Sequence, residues 1–168
     1  VRCRPKWRSR MEIILAYDRP DEVRDLVKEY TEAIMSQGDD VRRCLSVQHL
    51  DDELADMNRK YALPYGRIYL ALVDGRAAGC AVLFPNGNDF CEIKRLYVRP
   101  EFRGRHISRA LAEKIIEEAG KIGYRYMRLD TFPSMTAAIK LYESLGFYTI
   151  ERYNENPAES AIFMQKDL

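Results

Sequence analysis

Residues 90–131 read as strand, turn, helix, strand, and that succession dictates one piece of the architecture. "FCEIKRLYV" (90–98) reads as a strand stopped by Pro100, which has no N–H to give to a ladder. Over about 105–120, Ile107, Ala110, Leu111, Ile115 and Ala119 fall on one helical face. "YRYMRLDT" (124–131) is then a strand again. Two strands joined through a helix lie parallel, with a right-handed crossover. Just upstream, "RIYLALVDGRAAGCAVLF" (67–84) places apolar runs on either side of Asp74-Gly75, the strongest short hairpin signal. "PNGND" makes the next turn. A hairpin-linked antiparallel part and a parallel pair must share one sheet, so the fold class is α/β (α+β). The expected sheet is mixed and mostly antiparallel, with one central parallel pair and helices on both faces.

The rest of the chain fits around that unit. "MEIILAY" (11–17) reads as a strand. Residues 19–37 carry Val23, Leu26, Val27 and Ile34 on one stripe and end at Gly38. A second helix is predicted over 46–61, with Leu50, Leu54 and Met57 on one face. Ser134 can N-cap a helix in which Met135, Ala138, Ile139 and Tyr142 repeat at helical spacing, with Gly146 as its C-terminal glycine. "FYTIERY" and "SAIFMQK" are the last strands.

The 168 residues suit one domain, expected over 11–168. Residues 1–10, "VRCRPKWRSR", are basic and lack the apolar stretch of a signal peptide. They read as a leader or tail ahead of a start at Met11, with a nucleic-acid-binding arm as the alternative. Net charge is +1, so no global field recruits nucleic acid or an anionic membrane, and any anion site must be local. No apolar run reaches the ~18 residues of a membrane span. Cys3, Cys44, Cys80 and Cys91 form no CxxC pair and only two histidines accompany them, which argues against zinc and suits a reducing cytoplasm. No metal is expected.

"LYVRPEFRGRHISRAL" (96–111) carries the chemistry. A helix N-terminus exposes unpaired N–H groups and partial positive charge, and Arg103, Arg105 and Arg109 surround this one. That is a phosphate site or a solvated basic turn. The pattern "IKRLYVRPEFRGRHISRALAEKII", followed after a strand by "AAIKLYESLGF", resembles the GNAT superfamily of acyl-CoA-dependent N-acetyltransferases. The resemblance implies acetyl-CoA as cosubstrate, its pyrophosphate held by the turn. The family's Arg/Gln-x-x-Gly-x-Gly/Ala pattern maps to Arg103, His106 and Ser108, so the arginine is kept and both glycines are replaced. Helical backbone needs no glycine, so binding is expected to survive. Gly104, Arg105, Ile107 and Arg109 complete the turn. The amides of Leu96, Tyr97 and Val98 are implied to hold the pantetheine arm and polarise the acetyl carbonyl, with Thr131 and Ala138 completing the cofactor set. A usual asparagine seven residues before the tyrosine is Met135 here.

The same resemblance implies that Tyr142 protonates the departing sulfur. A core aromatic is the alternative, because Tyr142 lies on its helix's apolar stripe. Glu92 is the candidate base, placed by period two on one face with Lys94, Leu96 and Val98. A surface carboxylate paired with Lys94 or Arg95 is the other reading. Asp39, Asp40, Asp51, Asp52 and Glu53 could meet a cationic acceptor or merely cap and solvate helices. The polar "YNENPAES" (153–160) lies near the rim of the site in this topology. The expected acceptor is a small amine or amino acid, then a protein terminus or lysine. A non-catalytic acyl-CoA sensor is the rival class, and a homodimer is possible.

Overall fold

A computed structural model describes residues 9–47 and 49–168, with backbone only at 44–47. Most of the basic leader, Cys3 and the Cys44 side chain lie outside the described residues. The elements are β1 (Met11–Leu15), α1 (Pro20–Met35), α2 (Asp39–Val47), α3 (Leu50–Ala55), α4 (Met57–Lys60), β2 (Arg67–Val73), β3 (Arg76–Pro85), β4 (Phe90–Val98), α5 (Ile107–Ile122), β5 (Tyr126–Thr131), α6 (Thr136–Ser144), β6 (Tyr148–Ile150) and β7 (Ile162–Asp167). A short 3₁₀ turn, Pro100–Phe102, separates β4 from α5.

The strands form one seven-stranded sheet in the order β1-β2-β3-β4-β5-β7-β6. β4 and β5 are its parallel pair, and the other neighbours run antiparallel. The expected mixed sheet is therefore present. Asp74 and Gly75 both take positive φ, 50° and 79°, as a two-residue hairpin turn demands. On one face Val23, Leu26 and Val27 of α1 pack with Met57 and Tyr61 on Ile68, Leu70 and Val82. On the other, Ile107, Leu111 and Ile115 of α5 and Tyr142 of α6 pack on Ala71, Leu83, Ile93 and Met127.

Two expectations fail in the α1–β2 connection. Residues 39–47 form a helix that periodicity had not marked, opened by Asp39 and Asp40 and supported by pairs of Asp39 with Arg42 and Asp40 with Arg43. The single helix expected over 46–61 is two short ones. Asp56, extended at φ −151°, ends α3 and caps α4 by accepting from the Arg59 N–H at 3.0 Å. Ser134 does not cap α6: its hydroxyl bonds Gln37 in the turn after α1, and Met135 takes the cap position without a side-chain bond. Gly146 does close α6, at φ 92°.

β4 holds the feature that shapes the site. Its pairing with β3 slips between Cys80↔Tyr97 and Val82↔Lys94, and Arg95 in the gap has φ 56°. This is a β-bulge, one extra residue in one strand. It reverses the alternation. Cys91 and Ile93 face α5, and after the bulge so do Leu96 and Val98, while Tyr97 faces α1. Glu92, Lys94, Leu96 and Val98 therefore do not share one face as expected. Gly79 permits the close approach beside the bulge, since a Cβ there would stand 2.5 Å from the Tyr97 carbonyl oxygen. The β4–β5 ladder ends at Glu92↔Arg128, and beyond that pair the two strands part.

Candidate functional site

The parted strands open a cleft, and a groove continues from it. The groove, about 640 Å³, has the end of β4 as its floor (Leu96, Tyr97, Val98), α1 as one wall and α6 as the other. Arg99 fixes the α1 wall. Its guanidinium bonds both carboxylate oxygens of Glu29 and the Ala77 carbonyl, at 2.7–3.2 Å. Gln37, in the turn after α1, reaches toward the start of α6, donating to the Met135 sulfur at 3.6 Å.

The mouth of the groove is the start of α5. That helix has no side-chain cap, so its first N–H groups remain for a ligand. Arg103 and Arg109 line the groove with Gly104, His106, Ile107 and Ser108. Arg103 Nε donates to the Val98 carbonyl at 3.2 Å. Arg109 is held by Glu113 at 3.1 Å and the Ser144 hydroxyl at 2.6 Å. Arg105 is different: its guanidinium sits 5.7 Å from the centre of the Phe102 ring and it does not line the groove. Ala138 lines it, whereas Thr131 is a buried partner of Ile162 in the β5–β7 ladder. The assembled mouth brings together two guanidiniums and an uncapped helix start, an arrangement that favours negative charge.

His106 corrects one expectation. It takes φ 59° and ψ 23°, in the left-handed region, whereas Ser108 is inside the helix. The first of the two replaced glycines thus sits where glycine is favoured, and the second does not. A non-glycine residue held there costs about 1 kcal/mol. His106→Gly should accordingly raise the melting temperature by up to a few degrees, and His106→Ala, which keeps the strain, should not. Calorimetric melting of both variants checks this.

The cleft is smaller, about 50 Å³, and is lined by Tyr30, Lys94, Leu96, Asp130, Tyr142 and Asn156, among others. Tyr30, Ile34 and Leu96 border both spaces. Tyr142 is buried, edge-on to Phe147 at 5.5 Å. Burial, and then the neighbouring Tyr30 and Asp130, push its pKa well above the ordinary phenol value. Tyr142 is thus core by packing and cleft-lining by position.

Glu92 is not brought to Tyr142. It is buried, accepts the Tyr153 hydroxyl at 2.6 Å, and lines neither groove nor cleft. The carboxylate that lines the cleft is Asp130 on β5, which sequence reasoning passed over. The Asn154 and Asn156 side-chain amides both donate to its Oδ2, at 3.3 and 2.8 Å, so its Oδ1 is the oxygen left to a ligand. The polar 153–160 loop thus does reach the rim.

Glu53, read as a possible solvent-facing acid, is wholly buried instead. It receives Arg95 Nε and Nη2 at 2.9 Å each, the Tyr61 hydroxyl at 2.8 Å and Lys60 at 2.8 Å. Burial alone would raise its pKa, but Arg95 and then Lys60 outweigh that and hold the carboxyl at about 2. The pair ties α3 to the bulge. Asp51 and Asp52 are exposed. Among the described residues, no cluster of histidine, cysteine and acidic side chains could hold a metal, and no helix is long and apolar enough to cross a membrane. Cys80 and Cys91 are free and buried, and burial pushes both thiols up to about 12.

Residues 27–147 match the model of the acetyltransferase (GNAT) family. An uncharacterised N-acetyltransferase of Schizosaccharomyces pombe is 40% identical over 150 residues, covering 88% of each chain. The N-acetylaspartate synthetase of Homo sapiens is 36% identical over 100 residues, 58% of this chain and 33% of that protein. Among solved structures, a Salmonella typhimurium protein described with its cofactor acetyl-CoA superimposes with a TM-score of 0.68 at 20% identity, over 94% of this chain and 93% of its own.

Proposed function

The chain belongs to the acetyltransferase (GNAT) family, and we propose that it transfers the acetyl group of acetyl-CoA to the primary amine of a small molecule, directly, with both substrates bound. The observation that carries this reading is the continuity of the anion-binding groove with a cleft holding Asp130 and Tyr142. The groove suits the cosubstrate: phosphates at the α5 start and two arginines, an extended arm along the unpaired edge of β4. Acetyl-CoA supplies an activated thioester carbonyl when bound. The residues of this chain supply the rest.

An alkylamine near pKa ~10 is mostly protonated at neutral pH and cannot attack until it sheds a proton. Asp130 Oδ1 is the acceptor for that proton, with the two asparagine amides steadying Oδ2. Backbone dipoles at Leu96–Val98 face the carbonyl as charge develops on its oxygen. The Tyr142 hydroxyl donates to the sulfur as the C–S bond breaks. Its raised pKa keeps it protonated throughout the working range, so it acts first as a hydrogen-bond donor to the thiolate. Glu92 holds Tyr153 under the site and contacts no reacting atom. The small cleft, and the N-acetylaspartate synthetase named among the relatives, favour a compact acceptor such as an amino acid over a protein segment.

The test is an acceptor screen with acetyl-CoA, following CoA release. At least one small amine or amino acid should be turned over, and Asp130→Asn should lower kcat about 10²-fold, while Glu92→Gln should lower it by less than tenfold. The reverse order would restore Glu92 as the base. Acetyl-CoA binding without turnover of any acceptor would leave a sensor. For the groove, Arg103→Ala and Arg109→Ala should each weaken acetyl-CoA affinity about tenfold, the worth of one charge-assisted hydrogen bond. Arg105→Ala, whose guanidinium lies on Phe102, should change it less than twofold by titration calorimetry.

A further inference from the structure

The cleft has a second pole. Lys94 lines it from β4, opposite Asp130 on β5. Its ammonium nitrogen stands 5.6 Å from the centre of the Phe84 ring, and Lys60 approaches the same ring at 5.7 Å. Lys60 is paired with Glu53 at 2.8 Å, and Arg95 closes on both oxygens of that same carboxylate. Glu92, the other acid close by on β4, is occupied by Tyr153. Among the described residues, no carboxylate stands within ion-pairing distance of Lys94. A cluster of cations therefore surrounds one shared anion, and the cation facing the cleft is the one without it.

An ammonium half withdrawn from water without a direct ion-pair partner carries a cost. Burial lowers the Lys94 pKa, Glu92 opposes it, Arg95 and Lys60 lower it further, and Asp130 across the cleft raises it. An anion arriving from the cleft removes that cost, and the ligand with an anion a few ångströms from an amine is an amino acid. A lysine kept only to cover Phe84 with its stem has no need to line the cleft.

We infer that Lys94 binds the carboxylate of the acceptor while Asp130 receives its amine, so that the substrate class is free amino acids and amines lacking a carboxylate are poor substrates. The inference rests on the transferase reading and deepens it. β4 and β5 are adjacent strands that part at this level, so the two poles face each other across the gap at which the acceptor must enter.

The experiment compares matched acceptors: alanine and aspartate against ethylamine, and phenylalanine against phenethylamine, with saturating acetyl-CoA. In the wild type kcat/KM should favour the amino acid at least tenfold in the best pair. Lys94→Met should collapse that preference by at least tenfold, and Lys94→Arg should recover part of it. A readout without turnover accompanies this. Calorimetry of the CoA-loaded protein should show N-acetylalanine binding at least tenfold tighter than N-ethylacetamide, with the difference lost in Lys94→Met. Equal use of amino acid and amine by the wild type, or a preference that persists in Lys94→Met, overturns the inference and leaves the transferase reading standing. If acetyl-CoA binds and no acceptor of either kind releases CoA, both fall together.

Discussion

Tyr142→Phe should lower kcat about 10²-fold with the acetyl-CoA affinity nearly unchanged, the low end for losing a proton donor. The phenyl ring stays in its edge-on contact with Phe147, so the variant should fold and lose about 1 kcal/mol of stability at most, the worth of one hydrogen bond. The groove contacts lie on β4, α5 and the face of α6 lined by Ala138, away from the hydroxyl, which explains the expected constancy of affinity. The loss should shrink with a thioester whose leaving thiol has a lower pKa, because that thiolate needs the donor less. Burial holds the Tyr142 pKa high, so no fall in wild-type kcat from loss of this proton should appear below pH 10. Full turnover in Tyr142→Phe at a chemistry-limited pH would make it a core aromatic only, with water as the donor.

Glu53→Gln should destabilise the protein by about 3–5 kcal/mol, because it strands the buried Arg95 guanidinium without its counter-charge. The pH dependence has a definite sign. The folded carboxyl sits at about 2, below its ordinary value of 4.5, so its stabilisation is fully present above pH ~4.5 and is lost as pH falls toward 2. Urea midpoints measured between pH 2 and pH 6 should show wild type losing stability over that window. The Glu53→Gln variant should start lower and follow a flatter curve. A midpoint within about 1 kcal/mol of wild type at pH 6 would mean that the bulge holds its shape without the pair. Since Arg95 sits at the bulge itself, the same variant should also lose turnover.

Much of the fold was legible because its signals are local. Asp74-Gly75 specifies a hairpin by turn chemistry alone, and the helical stripe after Arg105 sits between two strands that only a right-handed crossover joins. The groove was legible through the same segment, since the start of α5 and its arginines are contiguous in sequence. What escaped was non-local or aperiodic. α2 is opened by charge pairs rather than an apolar stripe, and a period search passes over it. Glu53 looked like a surface acid because its partner, Arg95, lies in a strand far along the chain. Period two put Glu92 on one face with Leu96 and Val98, and a single bulged residue undid that. Asp130 and Lys94 stand in unremarkable strand sequence, and their meeting follows from where two strands separate. His106 at a left-handed position could have been found: it stands where the pattern asks for glycine, and glycine is asked for where φ is positive.

The bulge also changes how substitutions in β4 should be read. The strand is spliced from two reading frames of side chains. Odd numbers point toward α5 as far as Ile93, and even numbers do so from Leu96 onward. Removing the one residue at the splice, Arg95, would merge the frames without altering any other amino acid. Alternation would then run unbroken, with Ile93, Leu96 and Val98 toward α5 and Lys94 and Tyr97 toward α1, and the strand would be free to zip onto β5 along its full length. A point mutant tests a side chain here, whereas a one-residue deletion would test whether the gap between the strands exists because β4 is a residue too long.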